Sequence, residues 1–160
     1  MNLHALQEMI RMLTYQPATA EQIDEFLHLM RLEAADYLDR TMELMDITWP
    51  QFAQLAKTTG QVFGIYRDEE RVGFYWIEER SSILHLHGLV VDKAYQGQGI
   101  GAEVLTMLAQ QYTGVMEAIE LGVHESNVKA RALYERMGYR TTKHLADLGF
   151  YIMRRPLLEG

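Results

Sequence analysis

Apolar positions along this chain change their period several times, and each change marks a predicted element. Leu3, Leu6 and Ile10 recur at helical spacing and predict a short N-terminal helix over residues 1–11. Met12–Gln16 reads as a first strand. Thr19 and Gln22 are spaced as a capping box, and behind them Ile23, Phe26, Leu27, Met30 and Ala34 mark one helical face. Thr48 and Gln51 repeat that signature ahead of Phe52, Leu55 and Ala56. Gln61–Tyr66 and Arg71–Glu78 are β-rich runs separated by Arg67-Asp68-Glu69-Glu70, a hairpin signal. Ile83–Val91 is the next strand, and Gly99–Gln111 is a helix whose Ile100, Val104, Leu105 and Leu108 face inward. Ala118–His124 is a strand. Asn127 is a good N-cap for a helix through Met137, with Gly138 where a C′ glycine belongs. Tyr139–Lys143 and Phe150–Arg154 close the chain as strands. The order βααβββαβαββ predicts an α/β (α+β) fold, a mixed sheet with helices on both faces.

The run from Leu84 to Ala102 carries the most chemistry. It reads as a buried strand, a short polar connection, a glycine-rich turn and a helix start, an order that presents backbone N–H groups at a helix N-terminus, where they hold phosphate. Gly97 and Gly99 let the backbone approach a ligand or take positive φ. The N–H groups from Gln98 to Ala102 then surround a pyrophosphate; without a ligand the same residues are only a tight strand-to-helix turn. Gly97-x-Gly99-x-x-Ala102 also fits a dinucleotide fingerprint. That motif wants its first glycine directly after the strand, whereas Asp92–Gln96 intervene here and too little chain follows for a second mononucleotide half. No Gly-Lys-Ser/Thr loop occurs.

On the preceding strand, His85 and His87 are spaced i, i+2 and point to one face. A primary alkylammonium has a pKa near ~10.4, so on the order of one in a thousand is neutral at pH 7. Nucleophilic attack needs that neutral form, and a histidine base suits the step. The alternative is two histidines filling a strand face with ordinary hydrogen bonds. Metal ligation is disfavoured because no third ligand is suggested nearby. Glu120 and His124 are weaker base candidates.

Composition narrows the classes. The 160 residues argue for one domain, 1–160, with a full core, and the 48% hydrophobic and 23% charged content is that of a soluble globular protein. No apolar run approaches the roughly 18–20 residues that span a bilayer, and Met1–Met12 lacks the order of a secretory signal. With no cysteine, disulfides, thiolate catalysis and Cys-based zinc sites are excluded, and a cytoplasmic location is expected. The net charge of -7 disfavours nucleic acid as partner and suits a cationic substrate, although acidity also simply serves solubility.

Two segments at the expected separation carry a resemblance that covers nearly the whole chain: Gln96-Gly97-Gln98-Gly99-Ile100-Gly101 after the fourth strand, and Asn127 followed by Leu133-Tyr134-Glu135-Arg136-Met137-Gly138-Tyr139. With the closing Phe150-Tyr151-Ile152-Met153, they resemble the GCN5-related N-acetyltransferase (GNAT) superfamily. His85-Leu86-His87-x-Leu89-x-Val91 is in addition similar to the arylalkylamine acetyltransferases, which carry a His-x-His pair at the same distance from the glycine turn.

The resemblance implies a mostly antiparallel sheet of seven strands and acetyl-CoA as cosubstrate. It assigns the coenzyme pyrophosphate to Gln96, Gly97, Gln98, Gly99, Ile100, Gly101 and Ala102. It implies that the strand bulges and splays at Leu89, Val90 and Val91, where backbone groups pair with the pantetheine arm and one N–H polarises the thioester carbonyl. Asn127 then caps its helix and touches the cofactor arm. Tyr134 lies against the sulfur, to protonate or hydrogen-bond the leaving thiolate, unless it is a packing tyrosine. His85 and His87 take the amine proton, directly or through water. The segment Tyr37–Trp49, with Leu38, Met42 and Met45, lines the acceptor pocket or is core. The expected function is acetyl transfer to a primary amine, on a small molecule or on a peptide or protein, by direct attack in a ternary complex. A homodimer suits the family. The alternative is a catalytically silent acyl-CoA-binding regulatory module.

Overall fold

The computed structural model describes residues 2–4 and 12–158. Leu6 and Ile10 lie outside these residues, and the expected N-terminal helix with them. The strands are β1 (Leu13–Pro17), β2 (Gln61–Arg67), β3 (Glu70–Arg80), β4 (Ile83–Val91), β5 (Ala118–His124), β6 (Arg140–Leu145) and β7 (Phe150–Pro156). The helices are α1 (Ala20–Glu33), α2 (Leu38–Leu44), α3 (Trp49–Thr58), α4 (Ile100–Tyr112) and α5 (Val128–Arg136), with a 3-10 turn over Lys93–Tyr95. Both capping boxes form. Thr19 and Thr48 accept from the amides of Gln22 and Gln51, and the two glutamine side chains accept from the threonine amides at 2.9 and 2.8 Å.

The seven strands form one sheet in the order β1-β2-β3-β4-β5-β7-β6. Of its neighbouring pairs, β4–β5 is parallel, with α4 as the crossover, and the others are antiparallel. The mixed sheet expected from the element order is therefore present, and a doubly wound dinucleotide fold is not. One face carries α4 and α5 over Ile65, Tyr75, Leu84, Leu86, Ile119, Leu121 and Met153. The other carries α1 and α3, which bury Phe26, Leu27 and Ala56 against Val62, Phe74, Trp76 and Val90.

The structure adds one element to the predicted order. The seven-residue α2 has Tyr37 at its N-cap with no side-chain hydrogen bond, so its start carries no sequence signal. It stands because Leu38, Thr41 and Met42, one helical face, are buried. Strand ends shift by one or two residues. Tyr139, expected to open β6, is wholly buried just before it.

Two irregularities in β4 position the site. Trp76 pairs with Gly88 and Ile77 with Leu86, so His87 is the extra residue of a β-bulge. The bulge resets the alternation: Leu86 and Leu89 both enter the α4 core, while Val90 enters the opposite one. Gly88 is tightly covered by α1, since a Cβ there would stand 2.8 Å from Met30 and 2.9 Å from Phe26. Pairing with β5 runs from Ile83↔Ala118 to Leu86↔Leu121 and stops. Beyond that point β5 continues on β7 alone, and the two parallel strands splay apart.

Candidate active site

A cleft of about 560 Å³ occupies this splay and runs to the glycine turn. Gly97 and Gly99 take φ of 79° and 81°. A Cβ at either would meet no atom within 4 Å, so both face open space. Gly99 is the N-cap of α4 and no side chain caps it. The amides of Gly99, Ile100, Gly101 and Ala102 have no intrahelical acceptor by the geometry of a helix start, and these four residues line the cleft. Ile100 anchors the turn by burying its side chain under the sheet. Gln96 lines the cleft and ties the turn to β4, donating from Nε2 to the Val91 carbonyl at 3.0 Å and to Glu33 at 3.1 Å. Gln98 points elsewhere: its side chain accepts from Arg67 at 2.7 Å.

Leu89, Val90 and Val91 form one wall of the splay, and Gly122, Val123 and His124 the other. Their side chains are largely core, so the wall facing β5 is backbone with no ladder partner. Asn127 caps α5, accepting from the Ala130 amide at 3.3 Å, and borders the cleft. Lys129 and Arg136 on α5 border it too. Sequence reasoning passed over both cations, because on a helix of mixed charge nothing distinguishes them from solvated residues.

Tyr134 lines the cleft from α5. Burial first, and then nearby Tyr37, push its phenol up to about 12, so it stays protonated at any working pH. Tyr37 crosses from the α1–α2 connection and stacks on His124, ring centroids 4.1 Å apart and planes 1° from parallel. Phe150 of β7 meets both rings edge-on at 5.7 and 5.1 Å. Nδ1 of His124 accepts from the Ser126 amide at 3.1 Å, so that nitrogen is already engaged and the ring serves as a stacking platform. The segment expected as acceptor pocket is thus divided. Tyr37, Leu38 and Thr41 line the cleft, Met42 is buried in a small cluster with Ala34, Met45 is exposed, and Trp49 packs on Phe52 under Arg31.

The two histidines are not equivalent. His87 lines the cleft; His85 stands behind it, rings 6.0 Å apart and 14° from parallel. Burial and then Arg80 push the His85 imidazole below its ordinary range, with Glu120 opposing. His87 contacts Glu78 at 2.7 Å through Nε2. Glu120, opposite His85 in the ladder, accepts two hydrogen bonds from Arg154 at 3.1 and 2.7 Å, so its carboxylate is already engaged. No group of three or more His, Cys, Asp or Glu side chains is placed to hold a metal ion among the described residues, and no helix there is long and apolar enough to cross a membrane.

Comparison with known proteins adds four observations. The family model described as the acetyltransferase (GNAT) family matches residues 24–139. A probable spermine N(1)-acetyltransferase of Bacillus subtilis subsp. natto is 29% identical over 104 residues, 59% of this chain and 68% of that protein. Among solved structures, a ribosomal-protein alanine N-acetyltransferase from Escherichia coli superposes with a TM-score of 0.70 at 20% identity, covering 93% of this chain and 96% of the other. The PaiA N-acetyltransferase from Thermoplasma acidophilum, solved in complex with coenzyme A, gives 0.68 at 14% identity over 91% and 99%. At these identities the structural likeness speaks to the fold.

Proposed function

The chain belongs to the acetyltransferase (GNAT) family, and from that premise we propose that it acetylates the primary amine of a small cationic molecule, with His87 as base and Tyr134 beside the leaving sulfur. The coarser statement follows from the family and the relatives: the chain is an acetyl-CoA-dependent N-acetyltransferase with an amine acceptor. The observation that carries the finer reading is the continuity of one cleft, from the amides of Gly99–Ala102 along the β4 wall to Tyr134 and His87.

The residues fit coenzyme A. The space before Gly97 and Gly99 is open, unpaired amides converge on it, and Lys129 and Arg136 supply positive charge at the rim. When bound, acetyl-CoA supplies the activated acyl group. The free backbone edge of Leu89–Val91 orients the pantetheine arm and the thioester carbonyl. With no cysteine in the chain to carry the acyl group, the amine attacks directly. His87 takes the proton that the amine loses and releases it to solvent, with His85 stacked behind its ring. Tyr134 donates a hydrogen bond to the sulfur. A phenol near 12 does not hand its proton outright to a thiolate whose pKa is about 8.5. Its contribution is therefore to stabilise the departing charge.

The likeness to the spermine enzyme and the net charge of -7 both favour a cation as acceptor. The test is an acetylation screen read by free thiol release, with spermine, arylalkylamines, a peptide N-terminus and a lysine peptide as acceptors. Turnover of small cationic amines is expected. Acetylation of peptides alone would overturn the small-molecule reading. Coenzyme A binding without acetylation of any amine would overturn it in favour of a silent binding module.

A further inference from the structure

Glu78 lies outside both family motifs, yet its carboxylate is the closest polar partner of the imidazole at the cleft. Glu78 sits on β3, opposite His85 in the ladder, two residues beyond Trp76. The bulge at His87 turns that ring toward Glu78, and Nε2 of His87 stands 2.7 Å from Oε1. The side chains are 28% and 19% exposed, so the contact is sheltered rather than freely solvated. Trp76 packs against the ring at 4.9 Å and His85 lies over it at 6.0 Å. Arg80 grips the same carboxylate, Nη2 to Oε1 at 2.6 Å.

These contacts fix the protonation pattern. Arg80 first, and then His87, hold the Glu78 carboxyl down at about 2, so it is ionised throughout the working range. An ionised carboxylate only accepts hydrogen bonds. The proton in the contact is therefore the Nε2–H of His87, and in the neutral ring the lone pair is on Nδ1. Arg80 keeps the carboxylate from swinging away, and Trp76 keeps the ring from turning over.

We propose that Glu78 is a positioning residue for proton abstraction: it fixes His87 as the Nε2–H tautomer and leaves Nδ1 to accept the acceptor's proton. This rests on His87 being the base. In the step, an N–H bond of the attacking amine breaks as its nitrogen bonds to the acyl carbon, the acyl carbon–sulfur bond breaks and the thiolate leaves beside Tyr134, and an Nδ1–H bond forms. The resulting imidazolium is stabilised by Glu78 until it releases the proton to solvent. The charged and titratable groups around the ring are Glu78 and Arg80 from β3, His85 from β4, Glu120 from β5 and Arg154 from β7.

The test compares wild type, Glu78→Gln and His87→Gln in the full chain. Imidazole 15N shifts of wild type at pH 8 should show His87 protonated at Nε2 and bare at Nδ1. In Glu78→Gln the two nitrogens should move toward each other, because an amide can both donate and accept. The kcat should fall roughly ten- to a hundredfold, less than loss of the base itself, with the KM for acetyl-CoA unchanged. The acid limb of the kcat/KM profile should move to lower pH, since the anion favouring the imidazolium is gone. An unchanged melting shift with coenzyme A confirms that the variant is folded. If Glu78→Gln leaves either the tautomer or the acid limb as in wild type while His87→Gln abolishes that limb, the inference alone falls. If His87→Gln keeps an intact acid limb, the base assignment falls and takes the inference with it.

Discussion

The substitution Gly99→Ala separates backbone strain from ligand binding at the glycine turn. Gly99 holds φ of 81°, where an L side chain costs about 1–2 kcal/mol. The new Cβ would meet no protein atom within 4 Å, so no clash adds to that figure. At about 2–4 °C per kcal/mol for a chain of this size, the melting temperature should fall by about 2–8 °C. Gly138→Ala provides the control. It has φ of 94°, its Cβ meets only the Arg155 side chain at 3.5 Å and beyond, and it stands at the far end of α5. Its loss of stability should be similar. Coenzyme A at a hundred times its Kd should stabilise wild type and Gly138→Ala by about 2.7 kcal/mol. If the diphosphate sits at the first turn of α4 as proposed, the Cβ of Gly99→Ala fills its space, and a tenfold or greater loss of affinity should remove about 1.4 kcal/mol or more of that. Melting curves with and without coenzyme A, backed by calorimetric titration, read both quantities. Equal coenzyme A affinity in the two variants would refute the assignment of the diphosphate to the first turn of α4.

Three further outcomes follow from the site. Tyr134→Phe should lower kcat by about 10², the scale of one lost donor at a developing charge, with little change in coenzyme A affinity by titration; unaltered turnover would remove the phenol from the reaction. Tyr37→Ala deletes the ring stacked on His124 and should raise the KM for the amine while coenzyme A binding is retained; a selective loss of coenzyme A affinity would assign the stack to the other substrate. The Glu78 carboxyl is held at about 2 against an ordinary 4.5, so the stability it contributes is fully present above 4.5 and lost as pH falls toward 2. The melting difference between wild type and Glu78→Gln should therefore be widest near neutrality and close on acidification; a difference independent of pH would contradict the charged contact.

The legible parts of this chain are those in which one residue type has one physical use. Thr19-Gln22 and Thr48-Gln51 announce helix starts because both hydrogen bonds are local, and both form. Gly97 and Gly99 announce the turn because few other residues adopt its backbone. What escaped depends on tertiary packing. The short α2 exists through burial of Leu38 and Met42 among Ala34, Ile47, Trp49 and Phe52 of the flanking segments, a cluster that no cap or period announces. Glu78 gains its place beside His87 only through the register of β3 on β4, and that register is set by a bulge no periodicity reveals. Lys129 and Arg136 differ from other surface cations only in facing the cleft. The pairing of His85 and His87 was readable from spacing; their inequality, one at the cleft and one behind it, was not.

The single unpaired residue in β4 has a consequence for how this segment tolerates change. Because His87 shifts the phase of alternation, everything before it and everything after it is in frame with the core only while the count between Leu86 and Leu89 stays at two. Exchanging a side chain there alters one contact. Deleting or inserting one residue would turn Leu89 and Val91 onto the face under α1 and α3 and bring Val90 in under α4, mismatching both cores, unless the strand slid along its neighbour. The stretch is therefore permissive to spelling and strict about length.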